Sequence, residues 1–186
     1  ADLYRGRVLP CGKVRKYKTF GCVINTDVYQ RQGLHWMALF VDMRTPAMTV
    51  EFFNSSGNQP QPEYAKWLDK VRDELSNLEG VTSTIIKVCK WRHQHSRSEC
   101  GVYALFYIYA RLRGVPASFF QDAPVPDQHM FEFRRHLYAS SAAFSDRAVS
   151  SSTVTSIGKV STDRADWSWD DFVEKNSTEW DEDGGE

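Results

Sequence analysis

Cys100 stands where a polar loop, Trp91–Ser98, meets an uninterrupted apolar stretch, Cys100–Arg113. If that stretch is a helix, the thiol sits at its N-terminus. Unpaired N–H groups and the positive end of the helix dipole stabilise a thiolate there. An ordinary thiol with a pKa of about 8.5 is only a few per cent ionised at neutral pH. A helix N-terminus and a neighbouring imidazole lower that value by several units. The plainer reading is a free Cys that only packs. A nucleophilic thiol needs a base, and His35 opens an apolar strand, behind Gly33 and ahead of Trp36. The base needs a group to hold its other ring nitrogen. Asn54 ends the next apolar strand; if the two strands form a hairpin, its far end returns beside His35. Taken alone, His35 is equally a surface histidine, and Asn54 before Ser55-Ser56-Gly57 is better read as a turn former. Gln94 lies six residues before Cys100. Its side-chain amide and the Cys100 backbone N–H would give the two donors an oxyanion requires.

The elements that must position these groups follow from pattern. Phe20–Thr26, His35–Met43 and Met48–Asn54 are short apolar strands, the last two joined by a turn at Thr45-Pro46-Ala47. Asn54–Asn58 breaks the chain. Tyr64, Trp67, Leu68, Val71, Leu75 and Leu78 recur at helical spacing on one face, and Gly80 closes that helix. Thr82–Lys90 is a further strand. Cys100–Arg113 is apolar on every side, which predicts a buried central helix closed by Gly114. Pro116–Gln121 and Pro126–Tyr138 predict two more helices, each opened by a proline. The order gives an α+β domain with a mainly antiparallel sheet and a buried central helix carrying the nucleophile at its N-terminus, flanked by further helices.

The chain has 186 residues, of which 41 % are hydrophobic and 25 % charged, with 11 Phe, 8 Tyr and 6 Trp. That composition excludes a wholly disordered chain. No apolar run approaches the roughly 20 residues that span a bilayer, so no membrane partner is expected. The net charge of −1 excludes nucleic-acid binding by bulk charge. Its distribution is uneven. Residues 1–18 carry six Lys/Arg against one Asp, and residues 146–186 carry eleven Asp/Glu against four Lys/Arg. The basic start offers a weak polyanion contact or is simply solvated. No secretory signal opens the chain, and none of Cys11, Cys22, Cys89 and Cys100 forms a C-x-x-C pair. This points to free thiols in a reducing compartment. Residues 1–138 read as the folded core, and 139–186 as a Ser/Thr-rich linker and an acidic, largely disordered tail interleaved with Trp167, Trp169, Phe172 and Trp180.

The combination G-x-H-W (Gly33, His35, Trp36), F-x-N-S-x-G (Phe52 to Gly57) and Q-x5-C-G (Gln94, Cys100, Gly101) resembles the Ulp1/adenain cysteine peptidase clan. That clan includes SUMO-specific proteases and adenovirus maturation proteases. The resemblance spans roughly residues 20–138. It implies a thiol protease that cleaves after Gly-Gly-type sequences, with Cys100 as nucleophile, His35 as base, Asn54 as orienter and Gln94 as oxyanion donor. It further implies that Trp36 roofs a narrow channel for the two glycines, and that no cofactor or metal takes part. SUMO proteases usually place Asp, and adenovirus enzymes Glu, at the Asn54 position. Asn54, Ser98-Glu99 before the Cys-Gly pair, and Asn25-Thr26-Asp27 are more similar to virion-maturation proteases of large cytoplasmic DNA viruses. His35 comes early for the clan, and the chain lacks an initiator Met, which suggests a missing N-terminal part. The expected partner is a protein with a Gly-Gly-x cleavage site, met by a monomer. The expected location is intracellular: host cytoplasm and virion for a viral protein, nucleus or cytoplasm for a cellular one.

Rival readings have their own residues. A SUMO or ubiquitin-like protein deconjugating protease uses the same set. An acetyltransferase on this scaffold would need a basic inositol-phosphate and acetyl-CoA site, for which the sequence offers no clear case. Cys89, His93 and His95 could ligate zinc, although C-x3-H-x-H lacks a fourth local ligand. An inactive, partner-binding relative would not need all four residue types.

Overall fold

The computed structural model describes residues 17–27 and 34–138, together with the backbone of two short strands, β1 (Arg7–Val8) and β2 (Val14–Arg15), which pair antiparallel. Cys11, Gly33, and the linker and tail expected over 139–186 lie outside the described residues.

The centre is a four-stranded sheet in the order β3-β4-β5-β6. β4 (Trp36–Asp42) pairs antiparallel with both β3 (Thr19–Asn25) and β5 (Ala47–Phe53). β6 (Ser83–Val88) joins β5 in parallel. The helix α1 (Pro62–Ser76) connects β5 to β6, and such a crossover returns the chain in the same direction. The expected mainly antiparallel α+β fold is therefore present, with one parallel edge.

β4 and β5 are interior strands covered on both faces, which explains their near-continuous apolar runs. Met37, Leu39, Val41, Val50 and Phe52 pack with Leu68, Val71 and Leu75 of α1. Ala38, Phe40 and Phe53 face the other way, onto α2 (Cys100–Leu112). α3 (Ser118–Asp122) and α4 (Asp127–Leu137) cover the far side of α2 through Phe120, Met130 and Phe133. Gly21 on β3 makes the approach of α2 possible: a Cβ there would stand 2.8 Å from Ile108 Cγ2.

α2 is less uniformly buried than its sequence predicts. Leu105 and Leu112 are 41 % and 44 % exposed, so one stripe reaches the surface. It also carries a buried charge. Arg111 Nε and Nη2 each lie 2.8 Å from the Glu51 carboxylate on β5, and Tyr107 Oη donates to the same group at 2.8 Å. Asp42, at the end of β4, receives Arg111 Nη2 at 3.0 Å and is paired with Arg44. This cluster sits at the C-terminal end of α2, about three turns from Cys100.

Candidate active site

The turn after β4 feeds β5 back along it in a register that pairs Ala38 with Phe53. Asn54 therefore leaves the sheet beside the start of β4, where His35 stands. His35 Nε2 donates to Asn54 Oδ1 at 2.7 Å. The same oxygen accepts the Ser56 backbone N–H at 3.0 Å and the Ser56 hydroxyl at 2.7 Å, while Asn54 Nδ2 donates to the Asn58 carbonyl at 3.3 Å. Three donors converge on one atom, which fixes the amide's orientation: its nitrogen in that place would accept none of them. The turn reading and the orienting geometry are both met by the one side chain.

With Nε2 committed to Asn54, Nδ1 is the ring nitrogen left for the thiol. A His35–Cys100 hydrogen bond lowers the Cys100 pKa below the ordinary thiol value; burial opposes this, and backbone N–H groups of Trp36 and Gly101 add to it. The same bond raises His35 above the ordinary imidazole value, against burial, with the Asn54 hydrogen bond assisting. The pair is thus biased toward thiolate and imidazolium. Glu99, next to the thiol and almost fully buried, would oppose a thiolate if it were unpaired; Arg134 of α4 meets its carboxylate at 2.9 Å.

A cavity of about 450 Å³ opens over this pair, with Cys100, His35 and Gln94 on its wall. Gln94 is held from three directions. Its Oε1 accepts the Ser55 hydroxyl at 2.8 Å, its Nε2 donates to the Ser96 carbonyl at 2.9 Å, and its backbone N–H, with that of His93, bonds the Ser55 carbonyl at 2.9 Å. An amide nitrogen carries two protons, so one remains for the cavity. Trp36 is 38 % exposed and lies over Gly101, the residue after the thiol: a Cβ there would stand 3.7 Å from Trp36 Cδ1.

Sequence reasoning held Gly57 only as part of a motif and a turn, and missed Asp127; both residues fix these loops. Gly57 has φ +77°, and a Cβ on it would stand 2.9 Å from the Arg92 backbone nitrogen. Only glycine suits both constraints, and its turn docks the Asn54–Ser56 segment against the Gln94 loop. Asp127 anchors that loop from α4: its carboxylate receives the N–H groups of His95 at 3.0 Å and Ser96 at 2.8 Å, and the Ser96 hydroxyl at 3.2 Å. The only sequence signal was an acidic residue just after Pro126, which reads as an ordinary helix start. Tyr103 of α2 points its hydroxyl into the same cluster, at 2.8 Å from the Val125 carbonyl and 3.1 Å from Asp127.

The zinc alternative is not met. Cys89 Sγ lies 3.1 Å from His93 Nε2, and His93 Nδ1 accepts the Val125 N–H at 2.9 Å, so both nitrogens of His93 are spent within the protein. His95 is exposed, away from the buried Cys89 and His93, and among the described residues no three candidate ligands gather. Among the described cysteines, Cys22, Cys89 and Cys100 are free.

Comparison with known proteins gives this geometry a relationship. The profile described as the Ulp1 protease family, C-terminal catalytic domain, matches residues 22–148. The chain belongs to the Ulp1 protease family. Within it, the SUMO-1 cysteine protease of African swine fever virus is 43 % identical over 140 residues, covering 73 % of this chain and 51 % of that one. A mimivirus chain named as a thiol protease is 31 % identical over 94 residues, covering 50 % of this chain and 30 % of its own. A crystal structure of the African swine fever virus protease superposes with a TM-score of 0.62 at 40 % identity, over 70 % of this chain and 48 % of that one. The chain spans about half the length of these swine fever virus relatives. The Ulp1 family consists of cysteine peptidases, and the α+β fold here is that of its swine fever virus member. Among the described residues no helix is long and apolar enough to cross a membrane.

Proposed function

We propose that this chain carries the catalytic centre of a thiol endopeptidase that cleaves after Gly-Gly-type sequences in viral polyprotein or structural protein precursors. The observation that supports the reading best is the run of hydrogen bonds from Asn54 through His35 to Cys100, in a cavity that Gln94 also lines. In this reading the Cys100 thiolate attacks the scissile carbonyl carbon, and the carbonyl oxygen takes up the negative charge. Gln94 Nε2–H and the Cys100 N–H stabilise that charge. The imidazolium of His35 then gives its proton to the leaving amine, and the acyl group stays on sulfur. Water, deprotonated by the now neutral His35, releases the acid and regenerates the thiol. Asn54 keeps the ring in the tautomer that can do both. Trp36, lying over Gly101, would leave room for glycine and little else on the acyl side.

The name of the swine fever virus relative also supports a second substrate class: SUMO or another ubiquitin-like protein whose chain ends in Gly-Gly. The same chemistry serves both. Cleavage of peptides containing Gly-Gly-x, compared with intact SUMO and ubiquitin precursors, separates them. Cleavage of the peptides with the folded precursors left intact favours polyprotein processing, and the reverse favours deconjugation. No hydrolysis of any of them, with Cys100 alkylatable, would overturn the protease reading.

A further inference from the structure

The cavity beside Cys100 carries charge that the reaction above does not use. Arg92 and Arg97 stand on its wall, both exposed, together with His35, Gln94 and Ser96, and no Asp or Glu lines it. Arg92 is held in place: its Nε donates to the Gln94 carbonyl at 3.0 Å, tying the guanidinium to the residue that offers the oxyanion donor. Among the described residues neither arginine has a carboxylate partner. The acidic groups of the adjoining segments are engaged elsewhere, Asp127 by the N–H groups of His95 and Ser96, and Glu99 by Arg134. Both arginines are exposed and no carboxylate lines the wall, so an anion entering the cavity meets positive charge. Arginine suits a carboxylate because its fork donates two parallel hydrogen bonds. Trp36 contributes nothing to this wall; it lies over Gly101 instead. The cavity therefore opens on the flank of the thiol that Trp36 leaves uncovered.

We propose that Arg92 and Arg97 form an anion subsite that selects an Asp or Glu side chain on the residue following the scissile bond. The position of that residue rests on the protease reading; the anion subsite itself does not.

A readout that needs no substrate tests the subsite. Iodoacetate and iodoacetamide both alkylate a thiolate, with sulfur bonding the methylene carbon as iodide leaves, but only iodoacetate carries a carboxylate. The ratio of their rates at Cys100 is measured by mass mapping in the parent, in Arg92→Gln, in Arg97→Gln and in the double variant. Comparing variants removes the contribution of His35, which all of them share. The ratio should fall roughly two- to fivefold per arginine, the size of one exposed ion pair, and should fall in the parent at high salt. An unchanged ratio in the double variant would overturn the subsite.

The second arm uses peptides. Gly-Gly-Glu should be cleaved faster than Gly-Gly-Gln, and Gly-Gly-Lys slowest, with the order levelling in the double variant. A preference for Glu before the two glycines, and not after them, would overturn the assignment to the leaving-group side. If neither the peptides nor the folded precursors are cleaved while the alkylation ratio responds to the arginines, the subsite stands and the protease reading falls.

Discussion

His35 Nε2 and Asn54 Oδ1 are 2.7 Å apart, and that oxygen simultaneously accepts two bonds from Ser56. The ring is thereby held by a group that is itself held by the turn it initiates. An orienting side chain on a free loop could follow the imidazole as it moves; this one cannot. The arrangement also favours an uncharged amide. A carboxylate at this site would put a second oxygen toward the Asn58 carbonyl, where the amide places its N–H at 3.3 Å.

Substitution at Asn54 separates these roles. Asn54→Asp should remain active, because one oxygen still accepts from His35. The added charge should raise the His35 pKa further, so the imidazolium persists to higher pH and the alkaline limb of kcat/KM moves up. Asn54→Ala should lose far more activity, with a stability loss of about 1–2 kcal/mol for the bonds removed. Parent-like activity in a folded Asn54→Ala protein would reduce Asn54 to a turn residue.

Thiol labelling tests the nucleophile. Cys100 is held below the ordinary thiol pKa by the hydrogen bond with His35, whereas burial pushes the Cys89 thiol up. Iodoacetamide should therefore modify Cys100 first near neutral pH. Because the bond with His35 is the chief cause of the depression, His35→Ala should shift the labelling midpoint to higher pH. Faster labelling of Cys22 or Cys89 would contradict the assignment.

Gly57→Ala places a methyl group 2.9 Å from the Arg92 nitrogen at a φ of +77°. The left-handed conformation alone costs a non-glycine residue about 1–2 kcal/mol. The turn and the Gln94 loop must also separate. Both Tm and kcat should fall, and kcat should fall in proportion to folded protein as well as in total. A variant with normal kcat per folded molecule would show that the two loops adjust independently.

What the chain's sequence could and could not convey follows from the range of the forces involved. The strand and helix positions were legible because β4, β5 and α2 bury apolar side chains in runs that sequence spacing records directly. The parallel edge was legible in principle, since a strand, a helix and a strand of those lengths form a crossover. The pairing of Glu51 with Arg111 was not, because 60 residues separate two charges that each look solvent-exposed in an apolar run. The same holds at the site. Cys100, His35, Asn54 and Gln94 were proposed from chemical type and resemblance, and Gly57 entered only as part of a motif and a turn; Asp127 acts through backbone groups of a distant segment and leaves no mark of chemical type. Zinc binding by Cys89, His93 and His95 rested on spacing alone; among the described residues no three candidate ligands gather, and the Val125 N–H occupies one nitrogen of His93.

The buried charge cluster lies at the end of α2 opposite Cys100. Glu51 is fully buried and its carboxylate takes bonds from Thr49, Tyr107 and Arg111. Glu51→Ala leaves Arg111 buried with only part of its partners, and should cost about 3–5 kcal/mol. Replacing both, as Glu51→Leu with Arg111→Met, should recover most of that loss, since no charge is left unpaired. Chemical denaturation of the three proteins decides this. A double variant as unstable as the single one would mean that the cluster's hydrogen bonds, and not the stranded charge, set the cost.

Asp127 offers the sharpest test of how the Gln94 loop is held. Its carboxylate secures the His95 and Ser96 N–H groups, and the Ser96 carbonyl in turn receives Gln94 Nε2. Asp127 never reaches the cavity, so any effect on catalysis must pass through the loop. Asp127→Ala should lower kcat by roughly 10- to 100-fold, the penalty for a donor displaced by about an ångström, with KM little changed. Stability should drop by about 1 kcal/mol as the exposed His95 and part-buried Ser96 donors lose their acceptor. Asp127→Asn keeps one acceptor oxygen and should restore part of both. Gln94→Ala alone should lower kcat by roughly 10²–10³-fold. If Asp127 acts by placing Gln94, removing it in the Gln94→Ala background should cost kcat little more, while the stability loss stays the same. Multiplied kcat losses in the double variant would instead mean that Asp127 supports the site by another route, such as the start of α2 through Tyr103.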